Sequence, residues 1–260
     1  MNILDVIIEQ KLLEIALQSV KVPLNHLKSM ERTIPLINFK DTLSQLGIQI
    51  IAEVKRKSPS KGEIQESIDV LKIAKDYEKN GATAISVLTD KEFFGGSLAF
   101  LTSIKEQVKI PILRKDFIIS EYQVYESYLA GADAILLIAE AMDFIQLKEL
   151  YDIAKYLGMN VLVEFHSEAS INKVLEVDPE IIGVNSRNLE TMKVDINWFE
   201  KMAPNLPQDA VKVAESGIKT SADLDFISQL GYTVALIGTS LMKSKSPGKS
   251  LKKLLKETVK

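Results

Sequence analysis

Eight short β-prone runs alternate with helical patterns along this chain, and that alternation limits the folds it can adopt more than any other feature. The runs are rich in Val, Ile and Leu, and helical patterns such as Val70–Lys79 and Glu121–Ala130 separate them. Several helical patterns end at a glycine that suits a helix C-cap, as at Gly131 and Gly158. The predicted strands are Gln49–Val54, Ala84–Leu88, Ile110–Leu113, Ala134–Ile138, Val161–Phe165, Ile181–Val184, Val211–Ala214 and Val234–Ile237.

Strands joined by single helices predict an α/β fold with a parallel sheet and right-handed crossovers. The count of eight favours a closed (β/α)8 TIM barrel over an open sheet. A flavodoxin-like or Rossmann-like sheet is the alternative, but neither uses eight strand–helix units in succession. The Gly-x-Gly-x-x-Gly fingerprint of dinucleotide binding is also missing after the first strand.

The first 47 residues precede the barrel and carry two helical patterns, Ile3–Val20 and Lys40–Leu46, joined by a segment with two prolines. We expect a helical N-terminal extension that caps one end of the barrel. A length of 260 residues is ordinary for one α/β barrel, and the composition does not shift along the chain. We therefore predict one barrel domain over residues 1–260, with residues 1–47 as its extension.

Composition excludes several classes of function. With 32 basic and 35 acidic residues, the net charge of −3 argues against a nucleic-acid-binding protein. The absence of cysteine rules out disulfides, thiolate metal sites and a cysteine nucleophile. No run approaches the ~20 apolar residues that span a bilayer, and no signal peptide is evident. We expect a cytoplasmic protein without a membrane partner, and a monomer, although an oligomer stays open.

Polar side chains gather where the predicted strands end. Glu53 and Lys55 lie two residues apart, so they project from one face of the first strand. The same spacing places Lys115, Glu164 and Glu215 on the faces of apolar residues that would fill the barrel. Because TIM barrels react at the carboxyl ends of their strands, these groups predict a catalytic mouth. The alternatives are a structural ion pair at Glu53 and Lys55 and ordinary solvated strand ends elsewhere.

Two further groups of residues indicate the kind of ligand. Ser216–Gly217 and Gly238–Thr239 follow the seventh and eighth strands, where the loops of such barrels often hold phosphate through backbone N–H groups. Phe94 and Phe117 lie in other strand-end loops and suit an aromatic substrate, although ordinary loop packing explains any single phenylalanine. With only two histidines and no cysteine, a metal site is not expected.

The strand-end motifs resemble those of the indole-3-glycerol phosphate synthase family. The likeness runs in order from about Glu53 to Met242, which is essentially the whole barrel. The segments Glu53–Gly62 and Leu113–Ile119 are highly specific. The segments that carry it are Glu53–Gly62, Ser86–Asp90, Phe93–Ser97, Leu113–Ile119, Val163–Glu164, Gly183–Leu189 and Glu215–Ile218.

The resemblance implies a carboxy-lyase of tryptophan biosynthesis that needs no metal or organic cofactor. Such an enzyme closes the pyrrole ring of 1-(2-carboxyphenylamino)-1-deoxyribulose 5-phosphate, releasing carbon dioxide and water and forming indole-3-glycerol phosphate. It also implies that Lys115 is the general acid at condensation. Lys55 would contact the substrate carboxylate and act as an acid in dehydration, with Glu164 or Glu53 as the base; the sequence does not settle which group serves each step.

The remaining positions follow from the same resemblance. Asn185 and Glu215 would orient the reacting hydroxyls and the lysines, and Arg187 occupies a rim position with a positional role. Phosphate contacts would come from Ser216, Gly217, Gly238 and Thr239. The contacts to the rest of the substrate would come from Ser58, Pro59, Phe94, Phe117, Leu136, Leu189 and Ile237.

The chain departs from the family pattern at a few positions, and two other functions compete with it. Ser186, Phe165 and Thr239 differ from the residues that many members carry, and Thr239 leaves its own side-chain contact with phosphate in doubt. A phosphoribosylanthranilate isomerase would call for a cysteine base, which this chain lacks. A barrel that only binds phosphorylated ligands need not keep acids and bases paired at its mouth.

Overall fold

Eight parallel strands close into a barrel in the computed structural model, which describes residues 2–58, 62–63, 69–188 and 191–258. Each strand pairs with its sequence neighbours, and the first pairs with the last through Gln49–Ala52 and Val234–Ile237. This arrangement confirms the predicted TIM barrel. The strands are β1 Gln49–Val54, β2 Ala84–Leu88, β3 Ile112–Lys115, β4 Ala134–Ile138, β5 Asn160–Phe165, β6 Ile181–Asn185, β7 Val211–Glu215 and β8 Val234–Ile237.

Helices follow the strands and cover the outside of the barrel. Two-residue strands Lys57–Ser58 and Gly62–Glu63 pair outside it. In the part of the chain that the structure describes, no helix combines the length and apolar character that a membrane span requires. The helices are α1 Ile3–Lys21, α2 Leu24–Ser29, α3 Phe39–Leu43, α4 Val70–Lys79, α5 Leu98–Lys105, α6 Glu121–Ala130, α7 Phe144–Tyr156, α8 Ile171–Val177, α9 Trp198–Met202, α10 Ser221–Gln229, α11 Thr239–Met242 and α12 Pro247–Thr258.

Strand boundaries differ from the sequence prediction next to a proline and where residues pair between neighbouring strands. The predicted Ile110–Leu113 begins too early, because Pro111 has no N–H to donate, and the strand instead continues to Lys115. Strands β6 and β7 each extend one residue further than predicted, since Asn185 and Glu215 are partners in the parallel ladder. Lys115, Asn185 and Glu215 therefore belong to the sheet itself, as Glu53 and Glu164 do.

Two apolar layers follow from the alternation of side chains along the strands. The inner layer fills the barrel with residues such as Ile51, Leu113, Leu162 and Val213, all fully buried. The outer layer packs between the barrel and its helices. Leu113, Leu162 and Val213 therefore share the inward face with Lys115, Glu164 and Glu215, as the spacing predicted.

The N-terminal extension contacts both ends of the barrel, whereas one capped end was expected. Phe39 and Leu43 of α3 join the inner layer, and the Phe39 N–H donates to Asn160 Oδ1 at the start of β5. Helix α3 therefore closes the end where the strands begin. Helix α1 lies at the opposite end, where Leu4 and Ile7 line the mouth. The single-domain organisation stays a prediction.

A buried carboxylate fastens the segment between α2 and α3 to the barrel. Asp133, fully buried, accepts hydrogen bonds from the N–H groups of Ile37 at 2.9 Å and Ile112 at 2.8 Å. The Lys105 ammonium donates to both of its oxygens at 2.8 and 2.6 Å. The Arg32 guanidinium lies 3.4 Å from the same carboxylate and donates to the backbone carbonyls of Tyr128 in α6 and Ala132 after it. These contacts hold the extension along one side of the barrel.

Candidate active site

A cavity of about 640 Å³ opens where the barrel strands end. Its floor is formed by charged side chains from β1, β3, β5 and β7, and its walls by apolar residues from several loops and from α1. The structure brings together every site residue predicted from the sequence that it describes with its side chain. The predicted residues that line the cavity are Glu53, Lys55, Phe94, Lys115, Phe117, Leu136, Glu164, Asn185, Arg187, Glu215, Ser216, Gly217, Ile237, Gly238 and Thr239.

Lys115 lies between two carboxylates on the cavity floor. Its Nζ is 2.9 Å from Glu164 Oε2 and 3.0 Å from Glu215 Oε2. Both glutamates are almost completely buried, and Asn185 Nδ2 donates to the second Glu164 oxygen at 2.9 Å. Glu164, Asn185 and Glu215 come from adjacent strands β5, β6 and β7, so backbone pairing fixes their spacing, and Lys115 reaches them from β3. The group is thus a rigid arrangement of one ammonium, two carboxyl groups and one amide.

Proximity separates the pKa values of these groups. Desolvation alone would raise the pKa of Glu164, but Lys115 and hydrogen bonds from its neighbours lower it to about 2. Desolvation and the nearby Glu164 charge raise the pKa of Glu215 well above its usual value. Burial opposes the charge on Lys115, yet Glu164 and Glu215 outweigh that effect and raise its pKa. The two carboxyl groups therefore differ in acidity, and their charges favour the ammonium form of Lys115.

A second ion pair lies on the same floor. Lys55 Nζ is 2.5 Å from Glu53 Oε1, and the Glu53 side chain is 4% exposed. The Glu53 charge also contributes to the raised pKa of Lys115. Burial lowers the pKa of Arg187, and the Glu53 charge opposes that effect. Glu53 thus lies close to both lysines and to the rim arginine, which gives it a central position in the charge arrangement of the cavity.

Gly238 is the residue that leaves room for Glu53. A Cβ atom at position 238 would lie 2.1 Å from Glu53 Oε1 and 2.8 Å from its carboxyl carbon. Those distances are far shorter than van der Waals contact. Glu53 Cβ would also lie only 3.0 Å away, so the carboxylate would have to turn away from β8 and into the cavity. The glycine at the end of β8 therefore determines where this carboxylate sits.

Replacing Gly238 by alanine is expected to lower kcat/KM by about 10- to 100-fold, since a shift of ~1 Å in a reacting group has that cost. Steady-state kinetics of the purified variant measure the effect. Gly47→Ala is the matched control, because Gly47 also precedes a change of direction but has open space around its Cβ position. Its positive φ of 83° predicts lower stability with unchanged kcat/KM. Equal kcat/KM for Gly238→Ala and wild type would contradict this role.

Small residues form one end of the cavity after β7 and β8. Ser216 and Gly217 have positive φ values of 67° and 83°, and Ser186 Oγ donates to the Ser216 carbonyl. A left-handed serine is uncommon and is held here by its surroundings. Gly238 and Thr239 lie beside this turn in the cavity wall. Exposed Lys219 and Lys243 also line this end, and the sequence analysis did not single them out.

An apolar wall faces the charged floor. Phe94 and Phe117 have ring centroids 6.0 Å apart, within the range of favourable aromatic pairs. Leu136 belongs to the inner layer, whereas Ile237 packs in the outer layer and reaches the cavity at the strand end. Several apolar residues that line the cavity were not predicted from the sequence. Only those in strands could have been, because side-chain alternation shows which strand residues point into the barrel. The residues that were not predicted are Ile3, Leu4, Ile7, Leu88, Ile138, Met192, Val194 and Leu236.

Three predicted residues cannot be located in the cavity. The side chain of Ser58, and Pro59 and Leu189 entirely, lie outside the described residues. Within the described ranges, no three His, Asp or Glu side chains come together in a way that could hold a metal ion. His166 instead lies against Glu140, with Nδ1 3.2 Å from Oε2.

Solved structures of other barrels share the fold of this chain at low sequence identity. The 3-hexulose-6-phosphate synthase from Salmonella typhimurium superposes with a TM-score of 0.63 at 16% identity, covering 81% of this chain and 100% of that one. The N-acetylmannosamine-6-phosphate 2-epimerase from Clostridium perfringens gives 0.61 at 15% identity, covering 88% and 100%. These similarities establish the barrel fold alone.

Sequence comparison is more specific. The family model described as indole-3-glycerol phosphate synthase matches residues 4–254. A protein of that name from Campylobacter jejuni is 42% identical over 258 residues, which cover 97% of this chain and 100% of the relative. Another, from Caldanaerobacter subterraneus, is 48% identical over 206 residues, covering 79% and 80%. These matches confirm the resemblance, and with it the prediction of a carboxy-lyase enzyme: the chain belongs to the indole-3-glycerol phosphate synthase family.

Proposed function

We propose that this protein closes the pyrrole ring of 1-(2-carboxyphenylamino)-1-deoxyribulose 5-phosphate, with loss of carbon dioxide and water, by lysine and glutamate acid–base catalysis. The observation that carries the proposal is the Lys115 ammonium held 2.9 Å from Glu164 and 3.0 Å from Glu215 on the cavity floor. The Glu53–Lys55 pair supplies a second acid and base in the same cavity. The reaction needs at least two proton donors and one acceptor, and these five groups can provide them.

Lys115 is the general acid of the condensation. The aromatic carbon that bears the carboxylate attacks the ketone carbon, a carbon–carbon bond forms, and the ketone oxygen gains negative charge. An ammonium beside that oxygen stabilises the charge and delivers a proton to give a hydroxyl group. The raised pKa of Lys115 keeps the proton available at neutral pH, and an alkoxide is basic enough to take it.

Loss of carbon dioxide then returns the electron pair of the broken carbon–carbon bond to the ring. The new hydroxyl leaves as water after taking a proton, and a base removes a proton from the adjacent methylene carbon. We assign the acid to Lys55 and the base to Glu164. Support for Glu164 comes from its contact with Lys115, because the carboxylate becomes more basic once that ammonium has given up its proton.

The two ends of the cavity fit the two ends of this substrate. Ser216, Gly217, Gly238 and Thr239 would hold the phosphate, with backbone N–H groups at the left-handed turn as the donors. Phe94, Phe117 and Leu136 would bind the anthranilate ring, since an apolar wall with few polar groups suits an aromatic ligand. Binding at both ends would hold the ketone near Lys115, and Arg187 also lines the cavity.

An activity assay tests the proposal directly. Purified protein is expected to convert the carboxyphenylamino-deoxyribulose phosphate into a fluorescent indole product, with or without a chelator in the buffer. Competition by inorganic phosphate should raise the apparent KM without changing kcat, because phosphate occupies only one end of the cavity. A folded sample that shows no turnover would exclude this function and leave a barrel that only binds phosphorylated ligands.

A further inference from the structure

Lys11 of α1 is a buried lysine with three carboxylate partners. Its side chain is 4% exposed. Its Nζ lies 2.9 Å from Glu14 Oε2, 2.8 Å from Asp90 Oδ2 and 3.1 Å from Asp116 Oδ1. Asp90 and Asp116 are themselves buried and belong to the loops that follow β2 and β3. An ammonium from the N-terminal extension thus joins two separate loops of the barrel mouth.

Each of the two aspartates also holds an aromatic residue of the cavity wall by its backbone. Asp90 Oδ1 accepts hydrogen bonds from the N–H groups of Phe93 at 2.7 Å and Phe94 at 3.0 Å. Asp116 Oδ1 accepts the N–H of Phe117 at 2.9 Å and is the same oxygen that faces Lys11. The Phe94 and Phe117 rings pair with each other in the cavity wall. Lys11 therefore links the supports of both rings.

The two aspartates differ in how much they depend on Lys11. Asp116 Oδ2 also accepts from Thr89 Oγ1 at 2.5 Å and lies 3.1 Å from the Arg114 guanidinium. Among the residues that the structure describes, Lys11 is the cation that pairs with Asp90. Without that ammonium, a fully buried carboxylate would lose its counter-charge and draw water or other donors toward itself. The Phe93–Phe94 turn that it caps would then shift relative to Phe117.

Helix α1 also contributes its own side chains to the same wall. Ile7 and Leu4 lie one and two turns before Lys11, on the helix face that it shares, and both line the cavity. The Lys11 ion pairs therefore fix the position of these two apolar residues as well. An N-terminal residue that does not itself line the cavity is thus connected to three of its surfaces.

We propose that Lys11 is a positioning residue that sets the spacing of Phe94, Phe117 and the α1 side chains, and thereby the affinity for the aromatic end of the substrate. The inference rests on the proposed function for the identity of that ligand. The role of Lys11 in positioning the cavity wall does not depend on the proposed function. The two parts are therefore tested by separate measurements.

The kinetic test compares Lys11→Met with Lys105→Met. Both lysines are 4% exposed and ion-paired, but Lys105 contacts Asp133 at the opposite end of the barrel. In Lys11→Met, KM is expected to rise by about 10- to 100-fold, as expected for a misplaced binding wall, with a much smaller change in kcat. Competition by inorganic phosphate should be unaltered, because the phosphate end is separate. Lys105→Met should lower stability and leave KM unchanged, and Lys11→Arg should restore most of the lost affinity.

Hydrogen exchange supplies the readout that does not depend on activity. The backbone N–H groups of Phe93, Phe94 and Phe117 should exchange faster in Lys11→Met than in Lys105→Met. Equal exchange in the two variants would overturn the positioning role, and so would an unchanged KM or an equal loss of phosphate binding. If Lys11→Met does not fold, the double variant with Asp90→Asn removes the unbalanced charge and should fold with a raised KM. Absence of turnover in wild type would instead sink the proposed function while the exchange result still decides the role of Lys11.

Discussion

Replacing Lys115 by methionine is expected to lower kcat by about 10²–10⁴-fold, the usual contribution of a general acid. Methionine resembles the aliphatic part of the lysine side chain but carries no proton to give. Glu164 and Glu215 cannot deliver a proton from the position of the Lys115 ammonium, because that ammonium lies between them. Single-turnover measurements of the indole product would show the loss in the chemical step, and thermal unfolding would show that the variant remains folded.

Lys115→Arg separates the two roles of the ammonium. Arginine keeps the positive charge opposite both glutamates, but its guanidinium does not release a proton in a protein. If proton transfer is the main contribution, the arginine variant should be nearly as slow as the methionine variant. Recovery of activity to within about tenfold of wild type would show that charge alone accounts for the effect, and would contradict the assignment of Lys115 as the general acid.

Side-chain alternation explains why so much of the site could be predicted from the sequence. Glu53, Lys115, Glu164 and Glu215 each lie at a strand end, and a period of two residues fixes which face they occupy. Closing eight such strands into a barrel then brings all four together, without any information about longer-range contacts. The same rule predicted that the loops after β7 and β8 meet at the mouth of the barrel, and Ser216, Gly217, Gly238 and Thr239 do line its cavity.

Helix α1 shows where prediction from sequence stops. Its apolar residues surround the helix, so that Leu4 and Ile7 are buried while Leu13 and Leu17 are exposed. With no single apolar face, the sequence does not reveal which side meets the barrel. Lys11 in that helix looks like a solvated lysine and is buried only because Asp90 and Asp116 approach it from two distant loops. Such a contact between distant segments has no local signal.

The burial and ion pairing of Asp133 likewise could not be predicted from the residues around it in the sequence. Its replacement by asparagine is expected to lower the free energy of unfolding by about 3–5 kcal/mol, as for other broken buried ion pairs. Its carboxylate accepts the N–H groups of Ile37 and Ile112 as well as the Lys105 ammonium. Asparagine keeps one acceptor oxygen, but its NH₂ group would face a donor. The change therefore leaves Lys105 without its counter-charge and one N–H without an acceptor.

Urea unfolding of Asp133→Asn and Asp152→Asn, measured together, checks this expectation. Asp152 pairs with Lys148 on the exposed face of α7, where loss of the pair should change stability by no more than about 0.5 kcal/mol. Similar losses in the two variants would show that burial of the Asp133 group contributes little, and would contradict its role in fastening the extension to the barrel.

The pH dependence of the Asp133→Asn variant identifies the cause of its instability. Desolvation lowers the pKa of Lys105 below its ordinary 10.5, and Asp133 opposes that effect. Without Asp133 the pKa of Lys105 should fall further, so between that value and 10.5 the unfolded chain binds more protons than the folded variant. Stability then rises with pH across this interval. The variant's loss in free energy of unfolding, relative to wild type, should therefore be smaller near about pH 9.5 than at about pH 7. A loss that stays constant with pH would indicate that the missing hydrogen bonds, and not the unpaired ammonium, destabilise the variant.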